Sequence, residues 1–322
     1  DIGLGIPAEP LFRSSIRQQI ETLEGIFLHE MGYRGKGITI AVLDGGFQNY
    51  KRIPAFKRTN ILGTHDFIKP REDKKYGAFE SIDHGTKVLS AMAAYAPEVT
   101  IGTAPEASYW LLRCEDPLTE QPVEEDYWTM AVEMADSLGA DIINSSLGYY
   151  AFENGQGNYR LQDLDGQTAF ISRSASLLAQ KGMILCNSAA NSGMGQWKKI
   201  SVPADAHNIL TVGAIDRNRL LAAFSSIGPS QDGRIKPDVV AQGAPTVLLS
   251  GRGTLVHDMG TSFSTPLICG LVACLWQALP EKTASEIMDI VRRSANQYHE
   301  PTNILGYGIP NFRQAYNNNR IH

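Results

Sequence analysis

Cysteine is scarce in this chain: four residues in 322, at positions 114, 186, 269 and 274. No Cys-x-x-Cys pair and no Cys/His spacing of a zinc site occurs. Cys269 and Cys274 stand five apart in a stretch that reads as helix, which puts them on different faces and argues against a bond between them. All four are therefore expected as small buried apolar side chains, and they leave the redox compartment open. An excess of positive charge is also lacking. Lys plus Arg number 29 against 34 Asp plus Glu, for a net charge of −5, so there is no basic footprint for nucleic acid. No stretch reads as long and apolar enough to cross a membrane. There is no Gly/Ser/Pro-rich linker, no internal repeat, and no low-complexity tract beyond Asn317–Asn319. The chain starts at Asp1 rather than Met, as expected of a processed protein whose leader has been removed.

What is present is alternation. The run from Gly37 to Leu43 is continuous and β-branched, as a parallel strand covered on both faces requires, and it stops at Asp44-Gly45-Gly46. Helical patterns follow at Lys87–Tyr95, Tyr127–Leu138, Thr168–Gln180, Ser264–Leu279 and Ala284–Ser294. Between them lie strand patterns at Ala107–Arg113, Asp141–Asn144, Met183–Ser188 and Ile209–Ala214. The spacing predicts an α/β protein with a doubly wound, mostly parallel sheet and helices on both faces. Residues 1–35, with a short helical pattern from Ser14 to His29, read as a lead-in packed on the core, and 36–322 as one domain. A nicotinamide-type dinucleotide site is excluded, because Asp44-Gly45-Gly46-Phe47 stands where G-x-G-x-x-G would have to follow the first strand.

In such a sheet, sites gather at the carboxyl ends of the strands. Asp44 ends the first strand. Asp83-His84-Gly85-Thr86 places a histidine where a helix begins, with a glycine that permits close approach. Gly260-Thr261-Ser262-Phe263-Ser264-Thr265-Pro266 places a serine at the start of an apolar helix. A hydroxyl needs a base to act as a nucleophile at neutral pH, and the base needs a carboxylate to fix its tautomer. A rigid helix start adds backbone N–H groups and a positive dipole end for a developing oxyanion. Each residue alone has a plainer reading as a cap or a structural side chain; it is their joint occurrence that points to chemistry.

These three segments resemble the signature motifs of the subtilisin family, in that family's order Asp, His, Ser. Asn187-Ser-Ala-Ala-Asn191-Ser-Gly193 is similar to the segment that carries the family's oxyanion-hole asparagine. Ile101-Gly-Thr-Ala-Pro105, Ser145-Ser-Leu-Gly148, Ser201-Val-Pro-Ala204, Val212-Gly-Ala214 and Phe224-Ser-Ser-Ile-Gly-Pro229 continue the resemblance, which runs colinearly from about residue 35 to 280. It implies a three-layer subtilisin-like fold and a serine endopeptidase. Ser262 is then the nucleophile, His84 the general base and acid, Asp44 its orienting group, and Asn191 with the Ser262 N–H the oxyanion hole. Ser146, Leu147 and Gly148, with Ala189, Ala190 and Asn191, would flank the pocket for the residue before the cut. Gln121, Pro122 and Val123 would pair with the substrate backbone as an added strand. The resemblance also implies polypeptide substrates, an N-terminal propeptide, and secretion or a periplasmic or cell-surface location. No cofactor is required; a structural calcium stays open, although the loop Ala96–Thr100 is short and lacks the Asn-rich insertion that binds calcium in well-known bacterial members. Phe263-Ser264 replaces the Met-Ala of many members, which alters packing and not chemistry. A member of the fold that binds peptides without cutting them is disfavoured, since no triad position is substituted.

Several features imitate function. Asp163-Leu-Asp165-Gly-Gln-Thr168 looks like a phosphotransferase motif, but no apolar strand precedes it, so a capped helix start at Asp165 is expected. The remaining histidines, His257 included, lack supporting motifs. The connection 149–167 reads as a surface loop. From Glu115 to Asp126 there are six carboxylates in twelve residues. A solvated loop with Glu124–Asp126 favouring the next helix start accounts for them; so does a cleft wall that favours Lys or Arg two to four residues before the cut.

Overall fold

The computed structural model describes residues 10–68, 78–80, 82–97 and 99–320, with the side chains of 10–15 and 78 excepted. The first nine residues of the lead-in, Glu98 of the short loop and His322 lie outside the described residues. In chain order the helices are α1 (Pro10–Glu21), α2 (Ile26–Glu30), α3 (His84–Ala93), α4 (Val123–Ser137), α5 (Phe170–Ser176), α6 (Thr261–Ala278), α7 (Ala284–Arg293) and α8 (Phe312–Asn317). The strands are β1 (Thr39–Asp44), β2 (Asn60–Asp66), β3 (Tyr95–Ala96), β4 (Thr100–Ile101), β5 (Ser108–Arg113), β6 (Ile142–Ser145), β7 (Ile184–Ser188), β8 (Leu210–Asp216), β9 (Val239–Ala244), β10 (Thr246–Leu249) and β11 (Leu255–Asp258).

Seven strands form one sheet in the order β2-β5-β1-β6-β7-β8-β9, and every neighbouring pair is parallel. Because side chains alternate across a strand, Ile40 and Val42 of β1 enter one core while Ala41 and Leu43 enter the other. The first core is closed by α3, α6 and α7, through Leu89, Met92, Leu267, Leu271, Ile287 and Val291. The second is closed by α4 and α5, through Trp128, Ala131 and Ile171. A strand covered on both faces has no polar side to show, which is why β1 reads as an unbroken apolar run.

The central helix α6 is buried at every residue from Thr261 to Leu275. Contrary to the sequence reading, it is long and apolar enough to cross a membrane by length and composition; in this molecule 83% of it is buried in the core. The lead-in helices rest on the first core. Leu23 and Leu28 are fully buried, and the Gln19 amide bridges both the N–H and the carbonyl of Val247. A charged knot ties β8, β9 and α7 together. Buried Asp238 accepts from Lys236 Nζ at 2.8 Å, from Arg292 Nε at 2.8 Å and from the Thr211 N–H at 2.9 Å. Burial opposes its charge, but the two cations win and hold its carboxyl down at about 2. All four cysteines are buried and free.

Three strand regions escape the sequence pattern. β2 is an edge strand with no fully buried residue, so it carries no apolar run. The run through β9 and the β10–β11 hairpin is broken by Gly243, Pro245 and Gly251. The connection after α3 is short: β3 and β4 form a two-residue antiparallel ribbon, and the Val99 N–H donates to the Ala96 carbonyl.

Candidate active site

Parallel register places Asp44, Ser145 and Ser188, the ends of β1, β6 and β7, along one sheet edge. The N-termini of α3 and α6 reach the same edge, so His84 and Ser262 arrive at the first turn of two packed helices.

Asp44 is fully buried. Its Oδ1 accepts from the Gly45 N–H at 2.8 Å, and both carboxylate oxygens face His84 Nδ1, at 2.9 and 3.0 Å. With Nδ1 committed to Asp44, Nε2 is the ring nitrogen left for another group. Burial pulls the imidazole toward neutrality. The Asp44 charge and hydrogen bond, with the Glu115 charge, outweigh burial and the opposing Lys87, raising His84 to about 9. The glycine after His84 is required by contact: a Cβ on Gly85 would lie 2.5 Å from the Gly46 carbonyl oxygen, to which the Gly85 N–H donates. Phe263 sets its ring 5.5 Å from the His84 imidazole, so the residue replacing methionine packs on the histidine.

Ser262 is buried, and its hydroxyl donates to the Ser146 carbonyl at 3.3 Å rather than to His84. Such bonds are commonly loose before substrate closes the site. Pro266 explains a second contact. In an α-helix the N–H of residue 266 would donate to the carbonyl of residue 262, and proline has none. The Ser262 carbonyl instead receives the Ser146 hydroxyl at 2.9 Å, and Ser146 in turn receives the Asn144 amide at 3.3 Å.

Asn191 sits on the turn after β7. Its Oδ1 accepts both the N–H and the hydroxyl of Thr261, each at 2.9 Å, which leaves its two Nδ2 hydrogens as the available donors. The turn is held by Phe224–Ser226: the Gly193 N–H donates to the Phe224 carbonyl, the Ser192 N–H to the Ser226 hydroxyl, and the Ser226 N–H to the Ala190 carbonyl. Ala190 has φ of +83°, a conformation rare for a residue with a side chain and common at functional turns. Leu147 and Ala189 are buried, and the Asn187 amide donates to the Leu147 carbonyl, which fixes the spacing of segments 146–148 and 189–191.

The structure thus brings together Asp44, His84, Ser262, Asn191, Ser146, Leu147, Gly148, Ala189 and Ala190. It does not leave 121–123 extended. Pro122 caps α4 and Val123 begins it. The Gln121 N–H donates to Glu124 Oε1 and its carbonyl accepts the Glu124 N–H, so no free backbone edge remains for pairing. The helix begins four residues before its pattern does because Glu124, Glu125 and Asp126 supply negative charge to its first turn. Thr261 belongs to the site and was missed, and Glu115, foreseen only as one carboxylate of an acidic cleft wall, reaches the Asp44–His84 pair. The first looks like one more residue beside a serine; nothing local to the second announces that it abuts His84. His257 lies on β11 beside Arg217. Asp165 does not cap a helix as expected: it accepts the N–H groups of Gln167 and Thr168 in a local turn, and α5 begins only at Phe170, with Ala169 in the N-cap position and no side-chain cap.

The subtilase family model matches residues 35–308. Subtilisin NAT of Bacillus subtilis subsp. natto is 26% identical over 306 residues, covering 94% of this chain and 72% of that protein. Subtilisin Savinase of Lederbergia lenta is 25% identical over 302 residues, covering 94% and 98%. Among solved structures, MycP1 from Mycobacterium smegmatis superposes with a TM-score of 0.72 at 20% identity, over 93% of this chain and 84% of that one.

Proposed function

We propose that this protein, which belongs to the subtilase family of serine proteases, is an endopeptidase that cleaves polypeptides through an acyl-enzyme on Ser262. The observation that carries the reading is the pairing of His84 Nδ1 with both oxygens of fully buried Asp44, one helix start away from Ser262. His84 Nε2 takes the Ser262 proton as the hydroxyl attacks the scissile carbonyl, and gives it to the leaving amine. Asp44 stabilises the imidazolium that forms. The Asn191 Nδ2 and the Ser262 N–H donate to the tetrahedral oxyanion, with Asn191 oriented in advance by Thr261. Segments 146–148 and 189–191 flank the side chain before the cut. Action outside the cytoplasm, after loss of a leader and a propeptide, goes with this reading by similarity to the family.

The test is labelling with a fluorophosphonate, followed by peptide mapping. Ser262 is expected to carry the label, and Ser262→Ala to lose on the order of 10⁴-fold or more in kcat while keeping its fold by circular dichroism. Label on another residue, or a tenth of the hydrolysis surviving in Ser262→Ala, would exclude the assignment.

A further inference from the structure

Segment 115–124 holds three carboxylates that converge: one oxygen each from Glu115, Glu120 and Glu124 lie within 4.8 Å of one another. Among the described residues no lysine or arginine forms an ion pair with any of them. Two buried polar groups at this place also lack partners. Glu124 is 1% exposed, and its Oε1 accepts from the Gln121 N–H and the Thr119 hydroxyl while Oε2 has no partner. Tyr149, also 1% exposed, has an unpartnered hydroxyl whose charged neighbours are Glu115, Glu124 and Glu120. The protein has therefore gathered acceptors here and, among the described residues, set no lysine or arginine against them; the one cationic group beside them is His84, next to Glu115 and already paired with Asp44.

Position decides what these acceptors receive. Cys114 donates its N–H to the Asp44 carbonyl, and Glu115 Oε2 lies 3.3 Å from where a Gly45 Cβ would stand, so this wall abuts the Asp44–His84 pair. An extended substrate acylating Ser262 puts its first side chain between 146–148 and 189–191. Alternation sends the next one back along the chain to the opposite side, toward His84 and Glu115. We propose that Glu115, Glu120, Glu124 and the Tyr149 hydroxyl form a receiving site for the lysine or arginine side chain of the substrate residue two positions before the cut. This rests on the protease reading given above. Lysine brings three N–H donors and arginine five, with no acceptor to conflict with the lining. Burial, and repulsion from neighbouring carboxylates, hold Glu115 and Glu124 up at about 8 and Glu120 at about 6, a cost that an arriving cation removes. Calcium fits less well, since Glu124 Oε1 is already engaged by the Gln121 N–H and the Thr119 hydroxyl, which leaves one oxygen of that carboxylate for a metal. Glu125 stands apart: it accepts the Tyr159 hydroxyl at 2.7 Å and is no part of the site.

The experiment compares two peptides that differ only in Lys or norleucine at that position, with the cleaved bond identified by mass spectrometry. The lysine peptide is expected to be favoured about tenfold or more in kcat/KM at low salt, and the ratio to shrink as ionic strength rises. Glu115→Gln, Glu120→Gln and Glu124→Gln should each bring the ratio toward one, and Glu120→Asp should keep most of it; a ratio within one variant cancels general losses. Equal rates on the two peptides would overturn the inference and leave the protease standing, as would a lysine preference that survives all three glutamine variants. Failure to cut either peptide, with Ser262 unlabelled, would sink both. If calcium chloride raises the melting temperature, abolishes the preference, and loses its stabilising effect in Glu120→Gln, the site holds a metal and the inference falls.

Discussion

Replacing Ser146 by alanine tests whether a proline in a catalytic helix is compensated from outside that helix. The Ser262 carbonyl, deprived of a helical donor by Pro266, takes the Ser146 hydroxyl at 2.9 Å. Both serines are buried, at 5% and 8% exposed, so water does not readily substitute. A buried acceptor left without a donor costs about 1–3 kcal/mol. The Asn144 amide, which donates to the same hydroxyl, is orphaned too, which points to the upper half of that range. Unfolding entropy near 2.1 cal/mol/K per residue gives roughly 0.7 kcal/mol/K for a chain of 322 residues, so Tm should fall by about 3–4 °C. All variants would be made on Ser262→Ala, to prevent self-digestion, and unfolded in a calorimeter. Pro266→Ala returns an N–H to the same carbonyl. Ser146→Ala with Pro266→Ala should therefore lose less than the sum of the two alone, by about 1 kcal/mol. Additive losses, or a Ser146→Ala variant as stable as its parent, would refute the compensation.

Thr261→Val removes one of two donors that hold Asn191 Oδ1 and keeps the side-chain shape. One hydrogen bond of about 1 kcal/mol corresponds to a kcat loss of roughly fivefold with KM little changed, and an equal loss in an Asn191→Ala background would show that Thr261 does not act through Asn191. The pH profile of kcat/KM follows from His84, which must be neutral to accept a proton yet is held charged by Asp44 and Glu115 up to about 9. Activity should rise with pH through that value, and Glu115→Gln, by removing a charge that favours the imidazolium, should move the acid limb to lower pH. A limb that stays put or moves upward would show that Glu115 does not act on His84.

The strand–helix alternation was legible because β1, β6, β7 and β8 are covered on both faces and so are written as apolar runs. The residues of the candidate site were legible for a related reason. Tight backbone demands particular side chains locally: glycine at 85, where a Cβ would strike the Gly46 carbonyl, and proline at 266, early in α6. β2 was not legible, since an edge strand with no fully buried residue carries no such run. The segment 121–123 was read as an extended edge, but the acidic first turn of α4 draws it into a helix start.

The chain's own order of residues thus decides which segments are strands and helices, and where an aspartate, a histidine and a serine interrupt them, because propensity, burial pattern and caps act within a few residues. Only the tertiary structure decides what those residues meet. The Asp44–His84 bond spans 40 positions, the Ser146 hydroxyl reaches a carbonyl 116 positions away, and Asn191 is turned by a threonine 70 positions on. Such contacts leave no local signature, because a hydrogen bond depends on distance in space and the sheet register sets that distance.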